Sequence, residues 1–174
     1  SEANLSGANL LRADLIRTDL IRADLSGADL SKANLSGASL THAILEWTVF
    51  GDLNLVRANG LASTIHLGPS FVDLASLNLA QGKLPDAFLQ GCGLSEWEIL
   101  ASKMYDRKLT PENLLELQTS IHAARIKPQV SRRVFISHSG NDQDFVAQMR
   151  ARFLDEGVLC WTDSHEMKSG LIER

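Results

Sequence analysis

The first sixty residues repeat with a period of five. Leucine occupies every fifth position from 5 to 45, Phe50 and Leu55 continue the series, and Ala or Thr precedes each of these positions by two as far as Phe50. Asn or Asp fills the intervening position from Asn4 to Asn34. A helix face repeats near 3.6 residues and a strand face at 2, so a period of five predicts neither element.

A coil with four sides accounts for this period. If each five-residue unit forms one side, the chain returns to the same side every twenty residues, with the leucine and the small residue pointing inward. Residues twenty apart then stack at the ~4.8 Å spacing of paired strands. Leu5, Leu25 and Leu45 would form one such ladder. We therefore predict a β-solenoid over residues 1–60, with Leu25, Leu30 and Leu35 buried in its interior.

This pattern resembles the pentapeptide-repeat family, whose motif is Ala-(Asp/Asn)-Leu-x-x. The resemblance implies a mainly β fold, a right-handed quadrilateral β-helix. Some family members mimic DNA and bind gyrase through an acidic surface. We keep that function as the less favoured alternative, because residues 1–60 hold seven acidic and five basic residues and the aspartates from Asp14 to Asp29 circle one coil instead of following its axis. A spacer or assembly module is favoured.

The repeat decays near residue 50, where apolar residues take outward positions. Ile44 and Val49 replace the outward Asp or Asn, and Trp47 is also outward in this register. An open solenoid end needs a cap. We therefore predict that these three residues are covered, either by the helices that follow Ser70 or by a second chain.

Residues 61–130 carry helix signals in place of the five-residue period. Ser70 with Asp73, and Ser95 with Glu98, have the spacing of capping boxes. The first of these helices should stop at Gly82 and the second should continue to about residue 107. Thr110-Pro111-Glu112 starts a third helix that ends near Ile126. We predict a helical cap and linker in this region.

Residues 131–174 change character again. Val134–Ser137 has the apolar pattern of a short strand, the spacing from Phe145 to Phe153 favours a helix, and Val158–Trp161 is a second strand candidate. This order predicts one βαβ unit of a parallel sheet. Open sheets of this class bind ligands beyond the carboxyl ends of their strands.

Three stretches of this segment, "VFISHSGND", "GVLCWTD" and "SHEMKSG", resemble the start of the Toll/interleukin receptor (TIR) domain. The resemblance implies an incomplete α/β unit, the N-terminal fragment of a TIR domain. Many bacterial TIR domains cleave NAD at the nicotinamide–ribose bond when they assemble, and others are adaptors without enzymatic activity. The resemblance places four residues near a nucleotide pocket: Phe135, Ser137, Trp161 and Asp163.

Each of these four residues also has a purely structural interpretation, as core, strand-end or loop packing. The family's catalytic Glu is expected downstream of Arg174, and Glu156, Glu166 and Glu173 do not match its position, so no catalytic residue is assigned. Asp163, Ser164 and His165 are adjacent in sequence and cannot line up as a hydrolase triad. The chain alone is expected to be inactive, with NAD as the substrate of the complete TIR domain and no bound cofactor.

Composition and residue spacing disfavour several other classes of function. The net charge of −4 over 174 residues disfavours generic nucleic-acid binding. We see no secretory signal and no long apolar run, so we predict a cytoplasmic protein that does not bind membranes. His66 and His122 have no second ligand at metal spacing, so no metal site is predicted. Cys92, between glycines, is interpreted as a buried structural thiol and not as a nucleophile.

These observations favour one function over two others. The favoured function is a self-associating assembly or scaffold module of a bacterial TIR signalling or defence effector whose complete TIR domain hydrolyses NAD. The first alternative is a TIR adaptor that acts only by binding other proteins, through the solenoid or the TIR segment. The second is the gyrase-binding solenoid.

Overall fold

A computed structural model describes residues 3–126, two strands at 133–136 and 159–162, and seven single residues between Asp142 and Phe153. The chain divides into two compact units, Ser1–Gln129 and Val130–Arg174. Each unit is described by itself below.

The repeat region folds into stacked coils of twenty residues. Parallel bridges join Asn4 to Asp24 and Asp24 to Ile44 on one side of the coil, and the same interval recurs on the other three sides. The backbone hydrogen bonds follow this pairing: the Leu5 amide donates to the Asp24 carbonyl at 2.8 Å, and the Asp24 amide donates to the Ala3 carbonyl at 2.9 Å. The spacing predicted from the five-residue period is therefore the spacing of the ladder.

The interior of the coils contains the repeated leucines and alanines. Leu25, Leu30 and Leu35 are at most 1% exposed, as predicted. The corresponding residues of the first coil, Leu5 and Leu10, are only partly buried. Burial therefore increases from the first described coil to the second, because only the second has a coil on both sides.

The corners explain why the repeat uses Asp or Asn. Each of these side chains accepts a hydrogen bond from the amide two residues later, as Asp24 does from Ser26 at 2.9 Å. The residue after that amide then adopts a positive φ, from 53° at Arg17 to 73° at Gly37. A short side chain that bonds its own backbone stabilises such a turn. Asp and Asn are thus interchangeable here because both supply the acceptor oxygen.

The last two coils contain four short strands, and the chain between paired strands is slightly longer than in the earlier coils. Strand β1 (Ile44–Leu45) pairs in parallel with β3 (Ile65–His66), and β2 (Val49–Phe50) pairs in parallel with β4 (Phe71–Val72). Two 3₁₀ turns, Leu55–Arg57 and Leu61–Ser63, lie between β2 and β3. Because these turns add residues, the paired positions lie 21 and 22 residues apart instead of 20.

Helix α1 (Leu74–Ala80) begins the cap, and its N-cap differs from the prediction. Asp73 is the N-cap and accepts a hydrogen bond from the Ser76 amide at 2.8 Å. Ser70 is instead buried beneath the cap, and its amide donates to the Cys92 carbonyl. The predicted capping box of Ser70 and Asp73 is therefore wrong. Asp73 also accepts a hydrogen bond from the Asp52 amide at 3.0 Å, so its side chain joins the start of the helix to the coil.

Three further helices complete the first unit. They are α2 (Asp86–Gly91), α3 (Glu96–Ser102) and α4 (Pro111–Ile126). The capping box of Ser95 and Glu98 is confirmed, but α3 stops at Ser102 and a 3₁₀ turn, Lys103–Tyr105, follows in place of the predicted continuous helix.

Helix α4 packs on α3 through one face. Its less exposed side chains have helical spacing: Leu114, Leu117, Ile121 and Ala124.

Ser76 on α1 joins the helical cap to the solenoid. Its buried hydroxyl donates to the Phe50 carbonyl and accepts from the Leu53 amide, both at 3.1 Å. We expect Ser76→Ala to lower the free energy of unfolding by about 1–3 kcal/mol, because a buried donor and a buried acceptor lose their partner. Chemical denaturation followed by circular dichroism measures this.

Ser120→Ala is the matched control for that substitution. The Ser120 hydroxyl also donates to a carbonyl, that of Glu116, but it lies on the exposed side of α4. Water can replace this bond, so we expect a change below about 0.5 kcal/mol. Equal effects of the two substitutions would show that the Ser76 bridge does not hold the cap.

The second unit contains one parallel strand pair. Strand β5 (Arg133–Ile136) pairs with β6 (Leu159–Thr162), with Arg133 opposite Leu159. The described residues Phe145, Val146 and Met149 between them are helical. The observed strands lie within one residue of the segments predicted as strands.

Candidate protein-binding surface

Two of the four residues predicted near a nucleotide pocket lie on the paired strands. Phe135 on β5 is directly opposite Trp161 on β6. Ser137 and Asp163, each the residue that follows its strand, lie outside the described residues. The structure therefore brings Phe135 and Trp161 to neighbouring positions of one sheet.

The solenoid carries an exposed apolar surface that the sequence showed only in part. It consists of two paired positions, Ile44 with Ile65 and Val49 with Phe71, and of Trp47 at the corner between them. We call these five residues the apolar corner. Ile65, Trp47 and Phe71 are 44%, 45% and 56% exposed, and the rings of Trp47 and Phe71 are 6.1 Å apart.

The helices after Ser70 do not cover Trp47, and cover by a second chain stays a prediction. Strands β3 and β4 leave Ile44 and Val49 half-buried by pairing beside them, but Trp47 stays exposed. The helices of the cap do not enclose it. A surface cluster of large apolar residues is typical of an interaction site.

Both ladders of this surface change from polar to apolar along the solenoid axis. On one side the outward residues are Asn4, Asp24, Ile44 and then Ile65. The adjoining side runs from Asn9 through Asp29 and Val49 to Phe71 in the same way. The apolar corner is therefore confined to the last two coils.

Two carboxylates border the apolar corner on the preceding coil. Asp24 accepts from the Ser26 amide and Asp29 from the Ser31 amide, both at 2.9 Å. Hydrogen bonds from the Ser31 hydroxyl and amide hold the pKa of Asp29 below its ordinary value. Asp29 is therefore negatively charged at neutral pH and fixed in place beside the corner.

A wide depression of about 580 Å³ adjoins the corner on the side of Ile44. Arg22 and His42 line its far edge, and Asp24 lines it with Ile44 and Ile65. The wall thus combines an apolar surface with charged groups of both signs, which suits a polypeptide segment better than a small apolar molecule.

The acidic belt predicted from Asp14 to Asp29 has a local structural role. Every one of these carboxylates accepts a hydrogen bond from the amide two residues later. The turns of one coil therefore account for the position of the belt.

Two further reactive residue types, a histidine and a cysteine, lie where β3 meets the end of α2; His66 is partly buried and Cys92 is buried. The ring of His66 packs edge-on against Phe88 at 5.7 Å, and its Nε2 lies 3.0 Å from the Thr64 hydroxyl. Burial lowers the pKa of His66 to about 4 and raises the pKa of the Cys92 thiol to about 12. Cys92 is thus a protonated, buried thiol, in agreement with its structural interpretation.

The partly buried His66 ring should make folding depend on pH. Its pKa is about 4 in the folded chain and near 6.5 when unfolded, so between these values the unfolded state binds the extra proton. Stability is therefore fully present above about pH 6.5 and falls as the pH drops towards 4. We expect a loss of about 2 kcal/mol, less than the full shift implies because the ring is partly exposed. Denaturation midpoints at pH 7 and pH 4.5 measure it.

Two substitutions isolate this contribution. His66→Phe removes the titrating group, so the loss of stability between pH 7 and 4.5 should shrink by about that amount. His122→Asn, at an exposed position of α4, should leave it unchanged. An unchanged pH dependence in His66→Phe would contradict the burial argument.

Within the described residues, no group of three or more His, Cys, Asp or Glu side chains is placed to hold a metal ion. None of the helices in the part of the chain that the structure describes is both long and apolar enough to cross a membrane.

Comparison with known proteins identifies the first region. Residues 1–37 and 28–59 match the family of pentapeptide repeats, with eight copies of the repeat. Residues 1–59 are therefore similar to the pentapeptide repeats of that family. No curated protein matches the chain.

Proposed function

We propose that this chain is the assembly and protein-binding module of a bacterial TIR signalling or defence effector. The apolar corner is the observation that carries this proposal, because it brings three exposed large apolar side chains, two of them aromatic, together on the solenoid wall. The proposal includes a right-handed quadrilateral winding of the solenoid, and the twenty-residue pairing interval supports its four sides.

The second unit supplies the TIR part of the proposal. A parallel β5–β6 pair with Phe135 opposite Trp161 supports the resemblance of residues 131–174 to the start of a TIR domain. In this proposal the unit self-associates in the cytoplasm, and the complete domain hydrolyses NAD. Phe135, Ser137, Trp161 and Asp163 would then lie near the nucleotide.

The chemistry of NAD cleavage explains why the 174 residues alone should be inactive. As nicotinamide leaves, positive charge develops on the ribose, and a carboxylate held against the sugar stabilises it. The resemblance places that carboxylate beyond Arg174. Removing one charge-stabilising group typically costs about 10²–10³ in rate.

Nicotinamide release from NAD tests this function. We expect none above background from the 174-residue chain, and turnover from a protein extended through the rest of the native coding region, measured at high protein concentration to favour assembly. Turnover by the short chain would show that the catalytic group is misplaced. An extended protein that assembles but does not cleave NAD would favour the adaptor function.

A further inference from the structure

We propose that the apolar corner binds a segment of a partner protein that presents apolar side chains beside a lysine or arginine. This inference rests on the proposed protein-binding function and deepens it by naming the chemistry of the partner. It concerns the solenoid, whereas the proposed self-association concerns the TIR-like unit.

The apolar part of the partner follows from the exposed side chains. Trp47 and Phe71 are close enough for their rings to act as one surface, and Ile65 extends it along the adjoining wall. Large aromatic side chains of this kind contribute most of the binding energy in protein interfaces. A partner segment must therefore supply apolar side chains to cover them.

The basic part of the partner follows from the coil below. Asp24 stacks beneath Ile44 and Asp29 beneath Val49, so the two carboxylates lie about one strand spacing, ~4.8 Å, from the apolar residues. The sequence between Asp24 and Asp29 contains no basic residue. Arg22 lies at the other end of the Ile44 wall from Trp47, and Lys32 is 3.9 Å from Asp52.

The strip of backbone from Asp24 to Asp29 also has room for a long side chain at Gly27. A Cβ added at Gly27 would meet only the backbone of Gly7, at 3.8 Å. No side chain therefore lies within 4 Å of the Cβ position of Gly27, which stands at the same corner as Trp47. A lysine or arginine of the partner can extend over the two glycines and reach either carboxylate, with the indole ring of Trp47 near its charge.

A second copy of this chain is a poorer occupant of the same surface. An interface related by a twofold axis brings the same patch of both copies together. Asp24 and Asp29 of each copy would then border the same apolar contact, and like charges across an interface oppose association. Because residues 24–29 hold no base, a twofold contact centred on them brings no base opposite either aspartate.

Peptide selection against the full 174-residue chain tests this proposal. A displayed library of random twelve-residue peptides is selected on the immobilised chain, and the affinities of the enriched peptides are measured by calorimetry. We expect peptides that combine aromatic or aliphatic residues with lysine or arginine. Phe71→Ser should weaken them at least about tenfold. Leu115→Ser, at a 65% exposed leucine of α4, is the matched control and should not change the affinity.

Asp24→Asn with Asp29→Asn tests the charge without disturbing the fold. Asn makes the same turn at Asn4 and Asn9, where it accepts from the amide two residues later at 3.0 and 3.1 Å. The double variant should bind the enriched peptides about fivefold or more weakly at low salt, and this difference should shrink at high salt. Unchanged binding would overturn the proposal.

Two other results would overturn it as well. One is a selection that enriches no peptide, or only peptides without basic residues. The other is a dimer in sedimentation equilibrium that Phe71→Ser disperses and Leu115→Ser does not, because the occupant would then be a second copy. The NAD assay fails or succeeds independently, since it reports on the TIR-like unit, so failure of the two proposals can be distinguished.

Discussion

Leu30→Ala is expected to lower the free energy of unfolding by about 2–5 kcal/mol. Leu30 is fully buried, with coils on both sides of its own, and its backbone is fixed by hydrogen bonds to Val49 and Ala33. Neighbouring side chains cannot move far to refill the lost volume when the backbone ladder holds them. The substitution therefore loses both the transfer free energy of the side chain and the contacts around the resulting cavity. Urea denaturation followed by far-ultraviolet circular dichroism measures the change.

Leu10→Ala provides the matched control on the same ladder. Leu10 occupies the same place in the repeat one coil earlier, and it is only partly buried. Its replacement removes the same atoms but creates a smaller cavity, since the site is open on one side. We expect a cost clearly below that of Leu30→Ala. If the two costs were equal, burial between coils would not be what stabilises the repeat.

The sequence predicted the solenoid well because its information is local and repeated. A leucine that recurs every fifth residue has one simple arrangement that keeps all copies inside, and the burial of Leu25 confirms it. The Asp or Asn beside it was predicted to point outward. Its hydrogen bond to the amide two residues later was not foreseen, although both residue types are typical of such turns.

The cap was predicted less well because tertiary contacts choose between equivalent local signals. Ser70 and Asp73 are both good N-cap residues, and sequence spacing favoured Ser70. Asp73 prevails because its carboxylate accepts from the Ser76 amide in the helix and from the Asp52 amide in the coil. Burial of Asp73 opposes ionisation, but these hydrogen bonds outweigh it and lower its pKa. No single-sequence pattern shows that Asp52 lies there.

Only part of the apolar corner could be predicted from the sequence, because the rest depends on how the last two coils pair. Trp47 stood out because the register of the first nine leucines placed it outward. Ile65 and Phe71 could not be placed, because the added residues of the last coil move them to 21 and 22 residues after their partners Ile44 and Val49. A strict twenty-residue register would have paired other residues. The exposed surface therefore emerged only from the structure.

Gly60→Ala is expected to cost about 3 kcal/mol or more. Gly60 has a φ of +80°, where an L-residue is strained by about 1–2 kcal/mol. A Cβ at this position would also lie 2.6 Å from the amide nitrogen of Thr41 and 2.8 Å from its Cα, so the backbone of the preceding coil would have to move. The Gly60 carbonyl accepts from the Ser63 amide and hydroxyl, and that movement would weaken both bonds.

Gly27→Ala measures the cost of a positive φ without the close contact that a Cβ at position 60 makes with Thr41. Gly27 also has a positive φ, +68°, but an added Cβ meets nothing nearer than 3.8 Å. Arg22 and Lys32 adopt φ values of 55° and 60° at the same place in the repeat, so a side chain is tolerated there. We expect Gly27→Ala to cost about 1 kcal/mol, the strain alone. Thermal and urea denaturation of both variants should therefore differ by about 2 kcal/mol. Equal costs would mean that the contact between Gly60 and Thr41 does not limit the residue at position 60.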